Sequence, residues 1–285
     1  RASSPVSRGH TIAGSAPAHP TTPDIRVCAD VHALSERAAA AAAKTINDVV
    51  QSNGRCTLVL SGGSTPRTLY ALLASTYRDQ IPWTRVHVFW TDERYVAAHD
   101  PNSNYRMARD TLLDHVPCPS GNVHPMPTHF SSPDAAARDY ERTLRGYFHD
   151  SWPHVDLILL GLGEGGHTAS LFPGSSALRE QTRWVVAVTA SAEPPRRLTL
   201  TLPVLSRAAS IHVLVAGAKK AGALHHVLTG LPDPNAYPAS GVRSAAGTVI
   251  WWVDREAASQ LVVGTESRTP SSDAPTHPQA DTHHD

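Results

Sequence analysis

The chain has 285 residues, enough for one large α/β domain or two small ones. Its 25 basic and 25 acidic side chains cancel, so no bulk field favours nucleic acid or an anionic membrane. Three cysteines without CxxC spacing, no HExxH and no apolar run of membrane-spanning length argue against a zinc site, a disulfide scaffold and a membrane protein. The 17 histidines do not alter this, because several (His277, His283, His284) fall in a polar tail. The first residues lack the apolar core of a signal peptide, and a soluble, cytoplasmic chain is expected.

Residues 1–22 and 265–285 are rich in Ser, Pro, Thr and Ala without periodicity, the composition of disordered tails. No low-complexity linker divides the rest, and 23–264 reads as a single α/β domain. A short strand over 24–28 precedes a helix over 31–51, whose Leu34, Ala38, Ile46 and Val49 share a face and which stops at Asn53-Gly54. A buried strand over 55–60 leads through a glycine turn to a helix over 67–75. A third strand spans 86–90, and helices follow over 105–115 and 134–149. A continuous apolar run marks a strand at 157–160. Strands over 184–188, 198–202 and 211–216, a helix over 219–228 and a strand over 248–252 complete the domain. Alternation of strands and helices predicts a mainly parallel, Rossmann-like sheet with helices on both faces. The pair at 184–202, with no clear helix between its strands, is the expected place for an antiparallel or irregular piece.

Chemistry is concentrated where strands end. After 157–160 come four glycines in six residues, 161–166, followed by His167, Thr168 and Ser170. Glycines let the backbone approach a ligand, and ligands of open α/β sheets sit at strand carboxyl ends. Gly161, Gly163 and Gly166 formally match a dinucleotide fingerprint. However, Pro173 interrupts the expected helix, and the next apolar run ends in Thr189-Ala190 rather than an acid. The turn of Ser61, Gly62, Gly63, Ser64, Thr65 and Pro66 opens a helix with free N–H groups and hydroxyls, a ready anion site without a P-loop lysine. Asp92, Glu93, Arg94 and Tyr95 follow the strand over 86–90. There Arg94 is suited to fork onto phosphate or carboxylate and Asp92 to order a histidine or hold hydroxyls, unless the two simply pair with each other. Arg197 begins another strand. Lys219 stands at a helix start, where a cation is disfavoured unless an anion lies near, whereas Lys220 reads as a solvated surface residue. With no metal set and no Ser-His-Asp arrangement, the remaining chemistry is base-assisted attack by water, or proton shuttling, on a small phosphorylated substrate.

Three motifs together resemble the 6-phosphogluconolactonase family over roughly 25–255: 60–66 (LSGGSTP), 92–96 (DERYV) with 103–105 (SNY), and 166–174 (GHTASLFPG). The resemblance implies a Rossmann-like fold shared with glucosamine-6-phosphate deaminase and ribose-5-phosphate isomerase. It also implies hydrolysis of 6-phospho-D-glucono-1,5-lactone in the oxidative pentose phosphate pathway, with no metal or organic cofactor. Carried over, it makes His167 the general base. Gly62, Gly63, Ser64, Thr65, Arg94, Arg197 and Lys219 become the groups that hold phosphate and developing charge, while Asp92 and Asn104 contact sugar hydroxyls or set the loop. The chain departs from the family at Gly165, where many members carry an acid; Glu164 stands one place earlier, leaving Glu164 or Asp92 to substitute, or activity to be lower. Two other readings are a sugar-phosphate deaminase or isomerase of the same superfamily and a non-catalytic sugar-phosphate binder. The deaminase resembles this chain through the histidine but places a glutamate shortly after it, where this chain has Thr, Ala, Ser, Leu, Phe and Pro. The expected partner is a small sugar phosphate lactone, with no nucleic acid or membrane, and the expected assembly is a monomer or weak dimer.

Overall fold

Strands β2 (Cys56–Leu60), β5 (Leu157–Gly161) and β8 (Ser210–Val215) are buried at every position but one. Such nearly all-apolar runs are stable only in the middle of a covered parallel sheet. In the computed structural model, which describes residues 23–150, 152–244 and 247–261, they occupy that place. The edges are β1 (Asp24–Cys28) and β3 (Val86–Trp90), and β9 (Thr248–Asp254) lies between β1 and β8. The sheet order is β1-β9-β8-β5-β2-β3, and every neighbouring pair is parallel. From β2 the chain goes on to β3 on one side, and from β5 to β8 on the other. The gap beyond the carboxyl ends of β2 and β5 is therefore the switch point, where such sheets open a crevice.

Helix α1 (Val31–Asn53) is capped by the Asp30 side chain, which accepts from the Ala33 N–H, and it ends at Gly54 with φ 77°. Its buried stripe of Leu34, Ala38, Ala42 and Ile46 packs on the sheet beside α2 (Ser64–Ser75). Then come α3 (Asn104–Thr111) and α4 (Pro133–Phe148). The Tyr140 hydroxyl of α4 accepts from the Trp90 N–H and donates to the His124 carbonyl, fixing that helix to β3. His212, inside β8, lies edge-on to Trp252, and burial pushes its imidazole down to about 4; it is a neutral core residue. Among the described residues no helix is long and apolar enough to cross a membrane.

A second, antiparallel sheet has the order β4-β7-β6, from β4 (Asp92–Arg94), β6 (Val185–Thr189) and β7 (Arg196–Leu200). Thr91 joins the two sheets: its N–H donates to the Leu60 carbonyl (2.8 Å) and its carbonyl accepts from Leu200 (2.7 Å). Of the two forms the sequence leaves open for the 184–202 pair, the antiparallel one is found; 92–94, read as loop because three charged residues carry no strand periodicity, is a strand. Several boundaries also shift. The last strand of that pair ends at Leu200, since Pro203 starts the short helix α5 (Leu202–Leu205). Helix α2 begins at Ser64, so the two hydroxyls of the glycine turn belong to its first turn, where Pro66 forfeits no hydrogen bond. A 3₁₀ turn over Ala218–Lys220 precedes α6 (Ala221–Thr229). The expected tails lie outside the described residues.

Glu141 of α4 locks the small sheet in place. It accepts from Arg145, from Arg183 Nε (2.7 Å) and from the Trp184 N–H (3.2 Å) at the start of β6. Burial opposes its charge, but the two guanidiniums hold its carboxyl below the ordinary glutamate range. All its partners are donors, so an amide nitrogen there would face an N–H group. Glu141→Gln should therefore lower the unfolding free energy by about 2 kcal/mol at pH 7, measured by urea denaturation. Because the folded-state pKa is depressed, this advantage is complete above about pH 4.5 and disappears as the pH falls through the folded value.

Candidate active site

A cavity of about 500 Å³ opens at the switch point. Its floor and walls come from the turn after β2, the loop after β5, strands β4 and β7, and the start of α3. Of the residues singled out in the sequence, Gly62, Gly63, Ser64, Thr65, Asp92, Arg94, Asn104, His167 and Arg197 all line it. Lys219 does not: its side chain is exposed, while the half-buried Lys220 faces the cavity. Both lysines lie in the 3₁₀ turn over Ala218–Lys220, and α6 begins only at Ala221.

The phosphate-type turn is built on bare backbone. Gly63 has φ 110° and precedes a helix start that no side chain caps, so its first N–H groups remain free for an anion. A Cβ on Gly62 would lie 1.9 Å from Asn104 Oδ1; Asn104 packs flat on that glycine and donates to the Asp92 carbonyl (3.0 Å). The Tyr70 hydroxyl bonds to both the N–H (3.0 Å) and the carbonyl (2.8 Å) of Ser61. The Ser61 hydroxyl, buried in the cavity wall, has no partner among the described residues.

His167 sits on the other wall. Its ring covers Gly163, where a Cβ would come within 1.9 Å of Cε1, and lies 5.0 Å from the Phe172 ring. The Gly163 N–H donates to the His167 carbonyl (2.8 Å) and the Thr168 hydroxyl to the Gly161 carbonyl (2.8 Å), closing a tight turn in which Ala169 has φ 48°. Burial, then Lys220, then Arg197 push the imidazole below its usual 6.5, while Asp92 pulls the other way. The ring is thus neutral at pH 7, the form that can accept a proton.

Asp92 makes no hydrogen bond to the His167 ring among the described residues. One of its oxygens accepts from the Thr91 hydroxyl (2.9 Å) and the other from the buried Ser170 hydroxyl (2.7 Å). Ser170, three residues beyond the histidine, therefore ties the His167 loop to β4. Glu93 is buried beneath them and accepts from the N–H groups of Arg94, Asn104 and Tyr105 (2.7 Å each) and from the Ser103 hydroxyl (3.1 Å). Burial raises its carboxyl to about 7 against the pull of those donors. The Ser170 bond joins segments 78 residues apart and is not legible in sequence; the Glu93 hub reaches residues 94–105, and its only hint is an acid between two site residues.

Arg94 and Arg197 stand opposite each other across β4 and β7. Burial and then the neighbouring Arg94 charge lower the Arg197 guanidinium. Arg94 Nε is buried without a partner among the described residues. Two adjacent, incompletely paired guanidiniums favour an anion between them. At Gly165 a Cβ would meet nothing within 4 Å, so the fold itself does not demand glycine there. Of the two acids open to substitute, Glu164 acts on Lys220 and Asp92 acts on His167.

These fields can be tested without a substrate. By NMR, His167 should titrate below 6.5; Lys220→Met should raise its midpoint and Asp92→Asn should lower it. A midpoint at or above 6.5 that neither substitution moves would contradict this electrostatic picture.

A family model described as Glucosamine-6-phosphate isomerases/6-phosphogluconolactonase matches residues 29–251. The chain is 42% identical over 242 residues to a 6-phosphogluconolactonase of Synechocystis sp., covering 84% of this chain and 98% of that one. It is 43% identical over 223 residues to a 6-phosphogluconolactonase of Mycobacterium tuberculosis, covering 76% and 89%. The solved 6-phosphogluconolactonase from Leishmania guyanensis matches with a TM-score of 0.77 at 29% identity, over 85% of this chain and 100% of that one. The matched span includes every loop that lines the cavity, and the chain belongs to the glucosamine-6-phosphate isomerase/6-phosphogluconolactonase family.

Proposed function

We propose that this chain hydrolyses 6-phospho-D-glucono-1,5-lactone to 6-phosphogluconate, the lactone-opening step of the oxidative pentose phosphate pathway, with His167 as general base. The observation that carries this reading is a neutral imidazole facing the same cavity as an uncapped helix start, two arginines and a lysine. The relatives named above supply the choice of substrate.

In the proposed reaction, His167 takes a proton from a water molecule as its oxygen bonds to C1 of the lactone. The carbonyl electrons move onto oxygen, and nearby cations stabilise the resulting oxyanion. As the tetrahedral centre collapses, the C1–O5 bond breaks and the imidazolium returns its proton to O5, leaving a carboxylic acid that ionises. The turn of Gly62, Gly63, Ser64 and Thr65, with Lys220 and Arg94, anchors the phosphate; Asn104 and Asp92 face the ring hydroxyls. A proton donor and acceptor that ends each turnover neutral needs no metal in this scheme.

His167→Ala should lower lactone loss to the spontaneous rate while 6-phosphogluconate still binds within about threefold of wild type. Hydrolysis as fast as wild type would remove the histidine from the mechanism. Ammonia release from glucosamine 6-phosphate would favour the deaminase reading instead. Arg94→Ala and Lys220→Ala should raise KM more than they lower kcat, as expected of contacts made equally in ground and transition states, whereas Lys219→Ala should leave KM within about twofold.

A further inference from the structure

The His167 loop is also gripped from outside the cavity. Gly166, next to the histidine, has φ 76°, and a Cβ there would lie 2.6 Å from Tyr237 Cδ1 and 3.3 Å from Tyr237 Cα. Tyr237 therefore rests directly on the bare backbone beside the imidazole. The same turn bonds the loop at two further points: the Ala239 N–H donates to the Gly166 carbonyl (2.9 Å), and the Gly174 N–H donates to the Asn235 carbonyl (2.9 Å). The turn is itself stiffened by Asp233. Its carboxylate accepts from the N–H groups of Asn235 and Ala236 (3.1 Å each), and its carbonyl accepts from Tyr237 (2.8 Å).

On its other side the Tyr237 ring stacks on His226 of α6, with centroids 4.8 Å apart and planes inclined by 18°. Helix α6 starts immediately after Lys220, the lysine that faces His167 across the cavity. Neither Tyr237 nor His226 lines the cavity. One aromatic residue thus joins the backbone beside the imidazole to the helix that follows Lys220, without lining the cavity.

Building on the assignment of His167 as the base, we propose that Tyr237 is a positioning residue for that imidazole. It acts through Gly166, and its stack on His226 keeps the His167 loop in register with α6. Displacing a catalytic group by an ångström costs up to about a hundredfold in rate, even when the substitution lies away from the reacting atoms. A loosened loop also hydrates the imidazole and weakens the burial that keeps it neutral.

The test compares lactone hydrolysis by the full chain and by Tyr237→Ala, Tyr237→Phe, His226→Ala and His167→Ala, across pH, with folding checked by circular dichroism and thermal unfolding. Tyr237→Ala should lower kcat about tenfold or more while KM stays within about threefold. The acid limb of its kcat/KM profile should move to higher pH. Tyr237→Phe, which keeps the ring, should restore both, and His226→Ala should shift both in the same direction by less. Folded Tyr237→Ala with the wild-type kcat and acid limb, or with lowered Tm alone, would overturn the proposal. If Tyr237→Ala does not fold, His226→Ala decides, and an unchanged kcat and acid limb in it would overturn the proposal. Full activity in His167→Ala would instead overturn the base assignment on which the proposal stands.

Discussion

Asp156 fastens β5 to β2, and the site depends on that junction. One carboxylate oxygen accepts from both the N–H and the hydroxyl of Thr57 (2.7 Å each), while the Asp156 N–H donates back to the same hydroxyl (2.8 Å). This pins Leu157 opposite Leu58 and sets how far each strand reaches at its carboxyl end. Because the chain leaves β2 and β5 in opposite directions, no connection covers the space beyond them. The anion turn and the histidine loop face each other there because their strands are neighbours, although about a hundred residues separate them in sequence.

The second sheet completes what the first begins. A three-residue strand would be a poor investment of backbone order on its own; β4 persists because Thr91 hangs it from β2 and β7 pairs with it. That pairing places Asp92 and Arg94 over the crevice and sets Arg197 beside Arg94. The resulting field has two effects. Cations concentrate where a phosphorylated substrate would enter, and one of them, Lys220, helps burial hold His167 neutral. Asp92 moderates that field through space while its own oxygens are occupied by Thr91 and Ser170. The like-charged pair of arginines is an arrangement that an anionic ligand relieves.

Much of this was legible in the sequence because it rests on local chemistry. Buried apolar runs mark β2, β5 and β8, and glycines followed by hydroxyls or a histidine mark where two of them end. What escaped is what depends on tertiary pairing. Asp92–Arg94 carries no strand periodicity and is a strand only because β7 lies beside it. Lys220 rather than Lys219 lines the cavity, because both lysines lie in a 3₁₀ turn and α6 begins two residues later than the sequence suggests. Ser170 and Tyr237 act on segments remote in sequence, and Glu93 on the nearby start of α3, through bonds and contacts that composition cannot reveal. Gly165 shows the reverse case: the sequence marks it as a departure, and the space around it shows that packing does not require it.

The central claim is that one crevice holds both the phosphate and the carbon that His167 serves. A crystal structure of the chain with 6-phosphogluconate bound tests it most directly. The account predicts the phosphate on the N–H groups of the turn formed by Gly62, Gly63, Ser64 and Thr65, with the C1 carboxylate beside the His167 ring. A product whose phosphate lies away from that turn, or whose C1 end points away from His167, would contradict it.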